Sequence, residues 1–311
     1  MRVLITGGSG FIGSHLTESL LADGHQVLVI DNLSTGRADN LEPHDSLEVV
    51  NETIADGAAV LAIFHRFKPE QVAHAAASYK DPENWTEDTL TNALGTANVV
   101  KAAMAHEVKR FVYFQTALCY GSKPLEHPIT LKHPRLPDCS YAISKTAGEE
   151  YLEMSGLNYV TLRLANIIGP RNLSGPLPAF FKRLTTGKEC TVFRTRRDFI
   201  FVDDLVRLVR LALDGKGPSG TYHASTGQDT AIKELYDGVA KALGLDVPCK
   251  EADPGPDDAP TILLDPSETH ANFEWRAETP LEDIISAAVK WYKEKGLKEF
   301  YTHLKLEEAK S

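Results

Sequence analysis

Met1-Arg-Val-Leu-Ile-Thr-Gly-Gly-Ser-Gly-Phe-Ile-Gly13 is the stretch of sequence that decides the fold of this chain. Its apolar residues Val3 to Ile5 predict a short buried strand, and apolar residues then recur at helical spacing over 11–22. Three glycines separate the strand from the helix, namely Gly7, Gly10 and Gly13. Glycine at this spacing suits a tight turn whose backbone approaches a pyrophosphate, with the helix N-terminus facing the phosphates. The stretch therefore predicts a dinucleotide-binding turn.

The second predicted strand ends in an acidic residue, Asp31, roughly 20 residues beyond the glycines. A carboxylate at this strand tip accepts hydrogen bonds from ribose hydroxyls and repels a 2′-phosphate, which favours NAD over NADP. Arg37 is a cation that could favour NADP instead. We interpret Arg37 as a solvated loop residue, because it lies beyond the strand tip that carries Asp31.

Strands and helices alternate over the first half of the chain. The predicted strands span 2–6, 26–31, 47–51, 71–75, 109–116 and 158–164. The predicted helices span 11–22, 57–66, 86–106 and 140–154. This alternation predicts an α/β fold of the Rossmann type, with a doubly wound parallel sheet. Because glycines and prolines break the pattern after residue 170, we expect an NAD-binding domain over 1–170 and a smaller, mixed α/β substrate-binding lobe over 171–311, with some crossing of the chain between them.

The composition excludes several classes of partner. A formal net charge of −10 disfavours a nucleic acid or an anionic membrane, since either requires a basic face. The four cysteines lack the paired spacing of a zinc site or a disulfide framework, and they are Cys119, Cys139, Cys190 and Cys249. The chain opens directly with a strand and has no run of about 18 apolar residues. We therefore expect a cytoplasmic protein that binds no metal and does not span a membrane.

A candidate catalytic pair lies in Ser140-Tyr-Ala-Ile-Ser-Lys145. Tyr141 and Lys145 are four residues apart in a predicted helix and therefore share one face. A tyrosine with a pKa near 10 is a poor base at neutral pH, whereas a nearby lysine and a cationic nicotinamide both favour the phenolate. Such a pair also recurs by chance in helices without a catalytic role. Together with a dinucleotide-binding turn, it predicts acid/base chemistry.

A second candidate lies at the carboxyl end of the strand predicted over 109–116. The strand changes there from apolar residues to Gln115 and Thr116. Open α/β sheets bind their ligands at this edge, next to the nicotinamide. Thr116 could serve only to cap the strand. We favour the interpretation in which its hydroxyl donates a hydrogen bond to the reacting oxygen.

A set of motifs extends along nearly the whole chain: Thr6 to Gly13, Asp31-Asn32, His74-Ala-Ala-Ala77, Asn92 to Asn98, Thr116, Tyr141 with Lys145, Arg163 to Asn166, Gly169-Pro170 and Arg197 to Asp204. This set resembles the extended short-chain dehydrogenase/reductase family, and within it the NAD-dependent nucleotide-sugar epimerases and dehydratases. The segments His74–Trp85, Phe114–Gly121 and Ser140–Glu149 are similar to UDP-sugar 4-epimerases of bacterial lipopolysaccharide O-antigen clusters.

The resemblance implies a role for each matching residue. Tyr141 is the expected acid/base, Lys145 is expected to hold the nicotinamide ribose and to tune Tyr141, and Thr116 takes the place of the family's usual Ser or Thr. The residues expected to contact NAD are Gly7, Gly10, Phe11, Ile12, Gly13, Asp31, Asn32, Thr53, Ile54, Ala75, Ala76, Ala77, Tyr141 and Lys145. The residues expected to contact the substrate are Thr116, Asn166 and Arg197.

Asn166 and Arg197 fall where the family binds the nucleotide diphosphate, and an arginine fork suits a pyrophosphate on physical grounds. The alternative for Arg197 is an ion pair with Asp198. We interpret Arg194 and Arg196 as solvated residues.

Two residues after Thr116 depart from the pattern of the dehydratases and decarboxylases. Those relatives carry a pair ending in Glu, which moves a second proton, whereas this chain has Ala117 and Leu118. Because neither side chain can transfer a proton, dehydration and decarboxylation are disfavoured. Relatives that make fucose place a cysteine at the position of Leu118. Cys119 is one residue further along and should point to the other face, so we interpret it as a buried core thiol.

Two further departures concern the ligands. Thr53 stands where the family carries an aspartate that contacts adenine, and NAD binding should survive this change. The family's second phosphate-binding arginine is expected just before Asp257-Asp258, where the chain has none. The nucleotide of the substrate is therefore held differently, or it is not UDP.

These observations predict an NAD-dependent epimerase of a nucleotide-activated sugar, most simply a UDP-sugar 4-epimerase that works through a transient 4-keto sugar in surface polysaccharide biosynthesis. The alternatives are a ketoreductase or dehydratase of the same family and a non-catalytic NAD-sensing protein. The resemblance also implies a homodimer through the helices near 86–106 and 140–154. We interpret Lys80, His133 and Arg135 as exposed residues rather than as contacts of the sugar.

Overall fold

The computed structural model describes residues 1–255, 259–297 and 300–301. Its strands are β1 (Arg2–Thr6), β2 (Gln26–Ile30), β3 (Leu47–Val50), β4 (Gln71–His74), β5 (Arg110–Thr116), β6 (Tyr159–Leu164), β7 (Asn166–Ile168), β8 (Thr191–Phe193), β9 (Arg196–Arg197), β10 (Phe199–Phe201), β11 (Gly220–Ala224), β12 (Thr230–Ala231), β13 (Lys250–Ala252) and β14 (Thr261–Ile262). Its α-helices are α1 (Phe11–Ala22), α2 (Gly57–Phe67), α3 (Trp85–Asp88), α4 (Thr96–Ala105), α5 (Ser140–Glu153), α6 (Pro176–Thr185), α7 (Val202–Leu213), α8 (Ile232–Leu243), α9 (Ser267–Phe273) and α10 (Leu281–Lys295). A π-helix, Thr89–Gly95, joins α3 to α4, and 3₁₀ turns span Ala38–Asn40 and Ala117–Tyr120.

Seven parallel strands form the central sheet, in the order β11-β6-β5-β4-β1-β2-β3. β1 lies between β2 and β4, with Leu4 opposite Leu28 on one side and Val72 on the other. All three side chains are fully buried, and each such leucine or valine stabilises the fold by about 1.5–3 kcal/mol. The predicted Rossmann-type parallel sheet is confirmed, and the six predicted strands end within one residue of the observed ones.

Helices cover both faces of the sheet, because successive residues of a strand point to opposite sides. Val3 and Ile5 pack against side chains of α1 and α7, whereas Leu4 packs against those of α2 and α4. The sheet is therefore apolar on both sides, and its ligands can reach it only at the ends of the strands.

The chain returns to this sheet after entering its second half. α7 packs on α1, and β11 pairs in parallel with β6, so that Tyr222 lies opposite Leu162. β11 was not among the strands predicted from the sequence. Its sequence, Gly-Thr-Tyr-His-Ala, has few apolar residues and owes its place to the strand beside it. The division near residue 170 remains a prediction. α7 and β11 follow residue 170 in the chain but pack on the central sheet.

The remaining C-terminal elements form a second lobe around a separate apolar cluster. α6, α8 and α10 supply its largest buried side chains, among them Phe181, Tyr236 and Tyr292. Short strand pairs and a three-stranded sheet, β12-β9-β14, connect this lobe to the loops above the central sheet. The lobe and the carboxyl ends of the parallel strands enclose a space between them.

The helix predicted over 86–106 is continuous but not uniform. Its middle turns form the π-helix, where Asn92 is fully buried. The Asn92 side chain accepts from the Ser78 amide at 2.8 Å and donates to the Ser144 hydroxyl at 3.0 Å. This residue therefore ties the loop after β4 to α5, and π-helical turns often mark functional sites.

The described part of the chain shows neither a membrane span nor a metal site. No helix within these residues combines the length and hydropathy that a bilayer crossing requires. In the same residues, no three His, Cys, Asp or Glu side chains come together as a metal-binding group. All four cysteines are free thiols.

Candidate active site

A cavity of about 1260 Å³ lies at the carboxyl ends of the parallel strands, between the sheet and the second lobe. The loops after β1, β2, β3 and β4 form one wall, and residues of α6 and β9 form the opposite one. All the predicted site residues line this cavity except Lys145. The lining residues among them are Gly7, Gly10, Phe11, Ile12, Gly13, Asp31, Asn32, Thr53, Ile54, Ala75, Ala76, Ala77, Thr116, Tyr141, Asn166 and Arg197.

The glycine turn is too crowded for side chains. A Cβ on Gly7, whose φ is +70°, would lie 2.7 Å from the Ala76 backbone, and one on Gly13 would lie 2.1 Å from the Gly7 carbonyl oxygen. Gly10 begins α1 without a side-chain cap, and the first turn of α1 carries no acidic residue. The helix N-terminus therefore presents its backbone N–H groups to an anion, which fits the pyrophosphate of a dinucleotide.

Asp31 lies one residue beyond β2 and is buried in the cavity wall. Its carboxylate accepts from the Ser9 and Leu33 amides, each at 2.9 Å. Burial raises the pKa of Asp31, and these two hydrogen bonds act in the opposite direction. Each oxygen keeps a lone pair for a ribose hydroxyl. Arg37 pairs with Asp39 at 2.6 Å, in agreement with its interpretation as a loop cation.

One part of the cavity wall consists of residues that follow β3 and β4. The Thr53 hydroxyl accepts from the Ala55 amide at 3.2 Å, so its proton is available for donation into the cavity. Ile54 is buried beneath Gly95, which packs on it without a side chain of its own. The small side chains of Ala75 to Ala77 leave room for a flat ligand beside the glycine turn.

Tyr141 lies in the first turn of α5 and lines the cavity. Burial raises the pKa of Tyr141 well above its ordinary value, and the nearby Tyr79, Cys139 and Asp88 raise it further. The protein side chains therefore keep the phenol protonated at neutral pH. Ionisation requires a cationic group beside it, as the positive nicotinamide ring would be.

Lys145 lies one turn further along α5 and is only 1% exposed. Its ammonium lies 4.2 Å from the centroid of the Tyr113 ring, beneath the cavity wall rather than on its surface. Burial lowers the pKa of Lys145 to about 7, while the charge of Glu149 acts to raise it. The expected direct effect of Lys145 on Tyr141 stays a prediction, because the interactions that shift the pKa of Tyr141 do not include it.

Thr116 ends β5, and its hydroxyl performs the capping function considered for it. Its hydroxyl oxygen accepts from the Leu118 amide at 3.2 Å, which caps the turn Ala117–Tyr120. The hydroxyl proton is not used in this bond and can be donated to a ligand in the cavity. Ala117 and Leu118 also line the cavity, and neither can donate or accept a proton.

The opposite end of the cavity contains Asn166 and Arg197. The Asn166 amide donates to the Asp198 carbonyl at 3.2 Å. The Arg197 guanidinium donates to the carbonyls of Arg196 and Ala259 at 2.7 and 2.8 Å. The Asp198 carboxylate, considered above as a partner for Arg197, accepts hydrogen bonds from Ser225 and Thr226.

Two cavity arginines were not among the predicted site residues. Arg171 pairs with Glu18 at 2.6 Å and follows the Gly169-Pro170 motif, which was a signal for it. Arg183 lies on α6 without a motif around it. The position of the missing second arginine, just before Asp257 and Asp258, lies outside the described residues.

The basic residues considered near the sugar or phosphate lie in different places. Lys80 is exposed and lines the cavity, with its ammonium 4.7 Å from the centroid of the Tyr301 ring. His133 is buried and accepts from the Leu125 amide, so its interpretation as an exposed residue was wrong. Arg135 pairs with Glu153 on α5. Arg194 and Arg196 are exposed and pair with acidic neighbours, Glu251, Asp253 and Asp229.

Cys119 is fully buried in the 3₁₀ turn that follows β5. Burial raises the pKa of its thiol to about 12, so it is neutral at physiological pH. Its interpretation as a core thiol is confirmed.

The chain is similar to proteins of known name and structure. A UDP-glucose 4-epimerase of Mycolicibacterium smegmatis is 32% identical over 316 residues, which cover 95% of this chain and 100% of that protein. The Bordetella bronchiseptica enzyme WbmH, in complex with NAD⁺, is 54% identical with a TM-score of 0.92, over 95% of this chain and 99% of its own. WbmG of the same organism, in complex with NAD and UDP, is 44% identical with a TM-score of 0.92, over 98% of each chain.

The family model for NAD dependent epimerases and dehydratases matches residues 3–224, which include the glycine turn, Thr116, Tyr141 and Lys145. The chain therefore belongs to the NAD dependent epimerase/dehydratase family.

Proposed function

We propose that this chain is an NAD-dependent epimerase that inverts C4 of a UDP-sugar. The observation that carries the proposal is the single cavity in which Thr116 and Tyr141 face the same space as the glycine turn and Asp31. Similarity to a UDP-glucose 4-epimerase, and to an enzyme crystallised with NAD and UDP, supports the choice of reaction and nucleotide. The tight turn at Gly7 and Gly13 and the open N-terminus of α1 fit the cofactor.

NAD bound in this cavity would supply a hydride acceptor for C4 of the sugar and would return the hydride to the opposite face. Tyr141 takes the proton of the 4-hydroxyl as the C4–H bond breaks, and gives it back when the bond re-forms. Thr116 donates a hydrogen bond to the same oxygen and stabilises the charge that develops there. Lys145 is proposed to hold the ribose next to the nicotinamide.

The 4-keto sugar is proposed to go no further toward dehydration, because no second proton-transfer group follows Thr116. Ala117 and Leu118 line the cavity at the positions where a dehydratase needs an acid. A 4-keto sugar beside these side chains can only rotate and take back its hydride and proton. This geometry favours epimerisation over dehydration within the family.

The substrate diphosphate is proposed to bind at the far end of the cavity. Arg197 has its guanidinium oriented by two backbone carbonyls, and Asn166 lies beside it on β7. A guanidinium fixed in this way matches two phosphate oxygens. Arg171, Arg183 and Lys80 add positive charge to the same cavity, which suits an anionic substrate in a chain of net charge −10.

A homodimer is proposed to form through one exposed apolar surface. This apolar surface consists of Trp85, Leu90, Leu94, Met104, Ile143, Tyr151 and Met154. Its residues belong to α3, the π-helix, α4 and α5, except Met154, which directly follows α5; these helices pack against one another. Two copies of this surface related by a two-fold axis would bury it in a four-helix contact.

The proposed setting is the cytoplasm, with the product used in surface polysaccharide biosynthesis. Four free thiols fit a reducing compartment. The prediction fails if deletion of the coding sequence leaves the surface polysaccharide unchanged in sugar composition.

The reaction is tested by chromatography of the nucleotide released from denatured protein, followed by incubation with a panel of UDP-sugars and no added cofactor. We expect NAD to be released and one pair of C4 epimers to interconvert. Conversion that requires NADPH and a keto sugar would instead identify a reductase.

A further inference from the structure

One face of α5 carries three polar side chains that are spaced four residues apart: Tyr141, Lys145 and Glu149. Side chains at this spacing lie above one another on the same helix face. Glu149 is 0% exposed and does not line the cavity, so the proposed chemistry leaves it without a function. A carboxylate taken out of water at this position needs an explanation.

The Glu149 carboxylate is fixed by donors from three strands, β5, β6 and β11, the last through the Thr221 hydroxyl, which donates to Oε1 at 3.4 Å. Its Oε1 accepts from Arg163 Nε at 3.1 Å and from Arg163 Nη2 at 2.8 Å, and its Oε2 accepts from Gln115 Nε2 at 3.0 Å. Arg135 lies 3.6 Å from Oε2 at the edge of the group. Both carboxylate oxygens therefore have charged or polar donors, which fix the orientation of the group.

Gln115 connects this carboxylate to the end of β5, where Thr116 lies. While its amide nitrogen donates to Glu149, its Oε1 accepts from the Thr116 backbone amide at 2.8 Å. The end of β5 and the face of α5 are therefore held in one register by the side chain of Gln115. The charge of Glu149 has a fixed position relative to both Thr116 and Lys145.

The Lys145 ammonium lies in an environment that disfavours its charge. Tyr113 covers it from β5, and His74 faces it from β4 as a neutral ring, since burial holds the pKa of His74 far below its ordinary range. Burial lowers the pKa of Lys145 to about 7, and the charge that opposes this comes from Glu149. The charge of Glu149 also affects the pKa of six other titratable groups, namely Tyr113, Cys119, Tyr120, Arg135, Tyr159 and Arg163.

We propose that Glu149 is a positioning residue for the reaction: its buried carboxylate keeps Lys145 in the ammonium form on the catalytic helix. This inference rests on the role proposed for Lys145. Loss of the carboxylate would leave a neutral amine at the pH where the enzyme works. Glu149 acts through Lys145 and does not touch the substrate.

The test is a titration of the lysine side chains in the full-length purified protein, labelled with ¹³C-lysine and with its nucleotide content recorded. The Lys145 signal is identified by its loss in Lys145→Arg. In the parent we expect a midpoint near pH 7. In Glu149→Gln we expect that midpoint to fall by about one pH unit or more. The basic limb of the kcat profile should move to lower pH by the same amount.

Two variants separate charge from folding. Glu150→Gln removes the same charge from the neighbouring exposed position, and the Lys145 midpoint should stay where it is in the parent. Glu149→Gln combined with Arg163→Gln removes the buried ion pair as a unit, which avoids leaving Arg163 unpaired. The Lys145 midpoint should still be lowered in this double variant. If the single variant does not fold, the double variant alone tests the inference.

An unchanged Lys145 midpoint in the Glu149 variants would overturn the inference. A midpoint that returns to the parent value in the double variant would also overturn it, because the effect would then come from unpaired Arg163. A lowered midpoint in a protein without epimerase activity would reject the proposed function while supporting the action of Glu149 on Lys145.

Discussion

Tyr141 is the side chain on which the proposed chemistry depends. Tyr141→Phe removes the hydroxyl that is proposed to move the proton, and it keeps the aromatic ring in the first turn of α5. We expect kcat to fall by roughly 10²- to 10⁴-fold, since that is the usual contribution of a positioned acid/base. The melting temperature should stay close to that of the parent. Initial rates with the active UDP-sugar and thermal melts measure the two effects.

Tyr151→Phe is the matched control, because Tyr151 belongs to the same helix and lies outside the cavity, and phenylalanine keeps its aromatic ring in the proposed dimer surface. Both its rate and its melting temperature should equal those of the parent. Turnover at the parent rate in Tyr141→Phe would show that another group moves the proton.

Site residues that belong to a local sequence motif could be predicted from the sequence. Gly7, Gly13 and Asp31 follow from the strand-turn-helix pattern, and the structure places them in one cavity. The burial of Lys145 could not be predicted, since helical spacing shows that it shares a face with Tyr141 but not that Tyr113 covers its ammonium. Arg183 could not be predicted either, because the packing of the second lobe turns it toward the cavity.

At the scale of the element, the turn between β1 and α1 depends on the absence of a side chain at Gly13. Alanine favours a helix over glycine by about 1 kcal/mol. In Gly13→Ala, however, the new Cβ would lie 2.1 Å from the Gly7 carbonyl oxygen. We expect the contact to outweigh the gain and to lower the free energy of unfolding by about 1–3 kcal/mol. Retained NAD should fall as well, because the turn that faces the pyrophosphate shifts.

Gly10→Ala is the control within the same turn. Its Cβ would lie 3.2 Å from the same carbonyl oxygen, and its φ of −77° suits alanine. We expect a smaller loss of stability and of bound NAD in chemical denaturation and nucleotide analysis. Equal losses in the two variants would contradict the steric account of Gly13.

Regular elements could be predicted closely where their own apolar pattern specifies them. The six strands of the first half and α1 agree with the structure to within one residue. The π-helix could not be predicted, because it depends on Asn92 bonding to Ser78 and Ser144 from other segments. β11 was missed for a similar reason, since its five residues become a strand by pairing with β6.

At the scale of the whole molecule, the proposed dimer depends on the exposed apolar surface of α3, the π-helix, α4 and α5. Ile143→Glu places a charge in that surface and should separate the subunits, because a buried unpaired carboxylate is costly. Light scattering should give twice the chain mass of 34.2 kDa for the parent and a value nearer one chain for the variant.

Leu61→Glu is the matched control, since Leu61 is an exposed leucine of α2 outside the apolar surface. It should leave the mass of the parent unchanged. A parent protein that is a monomer at all accessible concentrations would reject the proposed interface.

The most direct measurement of the proposed reaction uses a UDP-sugar that carries deuterium at C4, incubated in ordinary water without added cofactor. The hydride is proposed to leave C4 and return to it within one binding event, while Tyr141 exchanges only the hydroxyl proton. We therefore predict that the inverted sugar retains its deuterium at C4. Replacement of that deuterium by hydrogen from the solvent would contradict the hydride mechanism, and with it the central role given to the cavity of Thr116 and Tyr141.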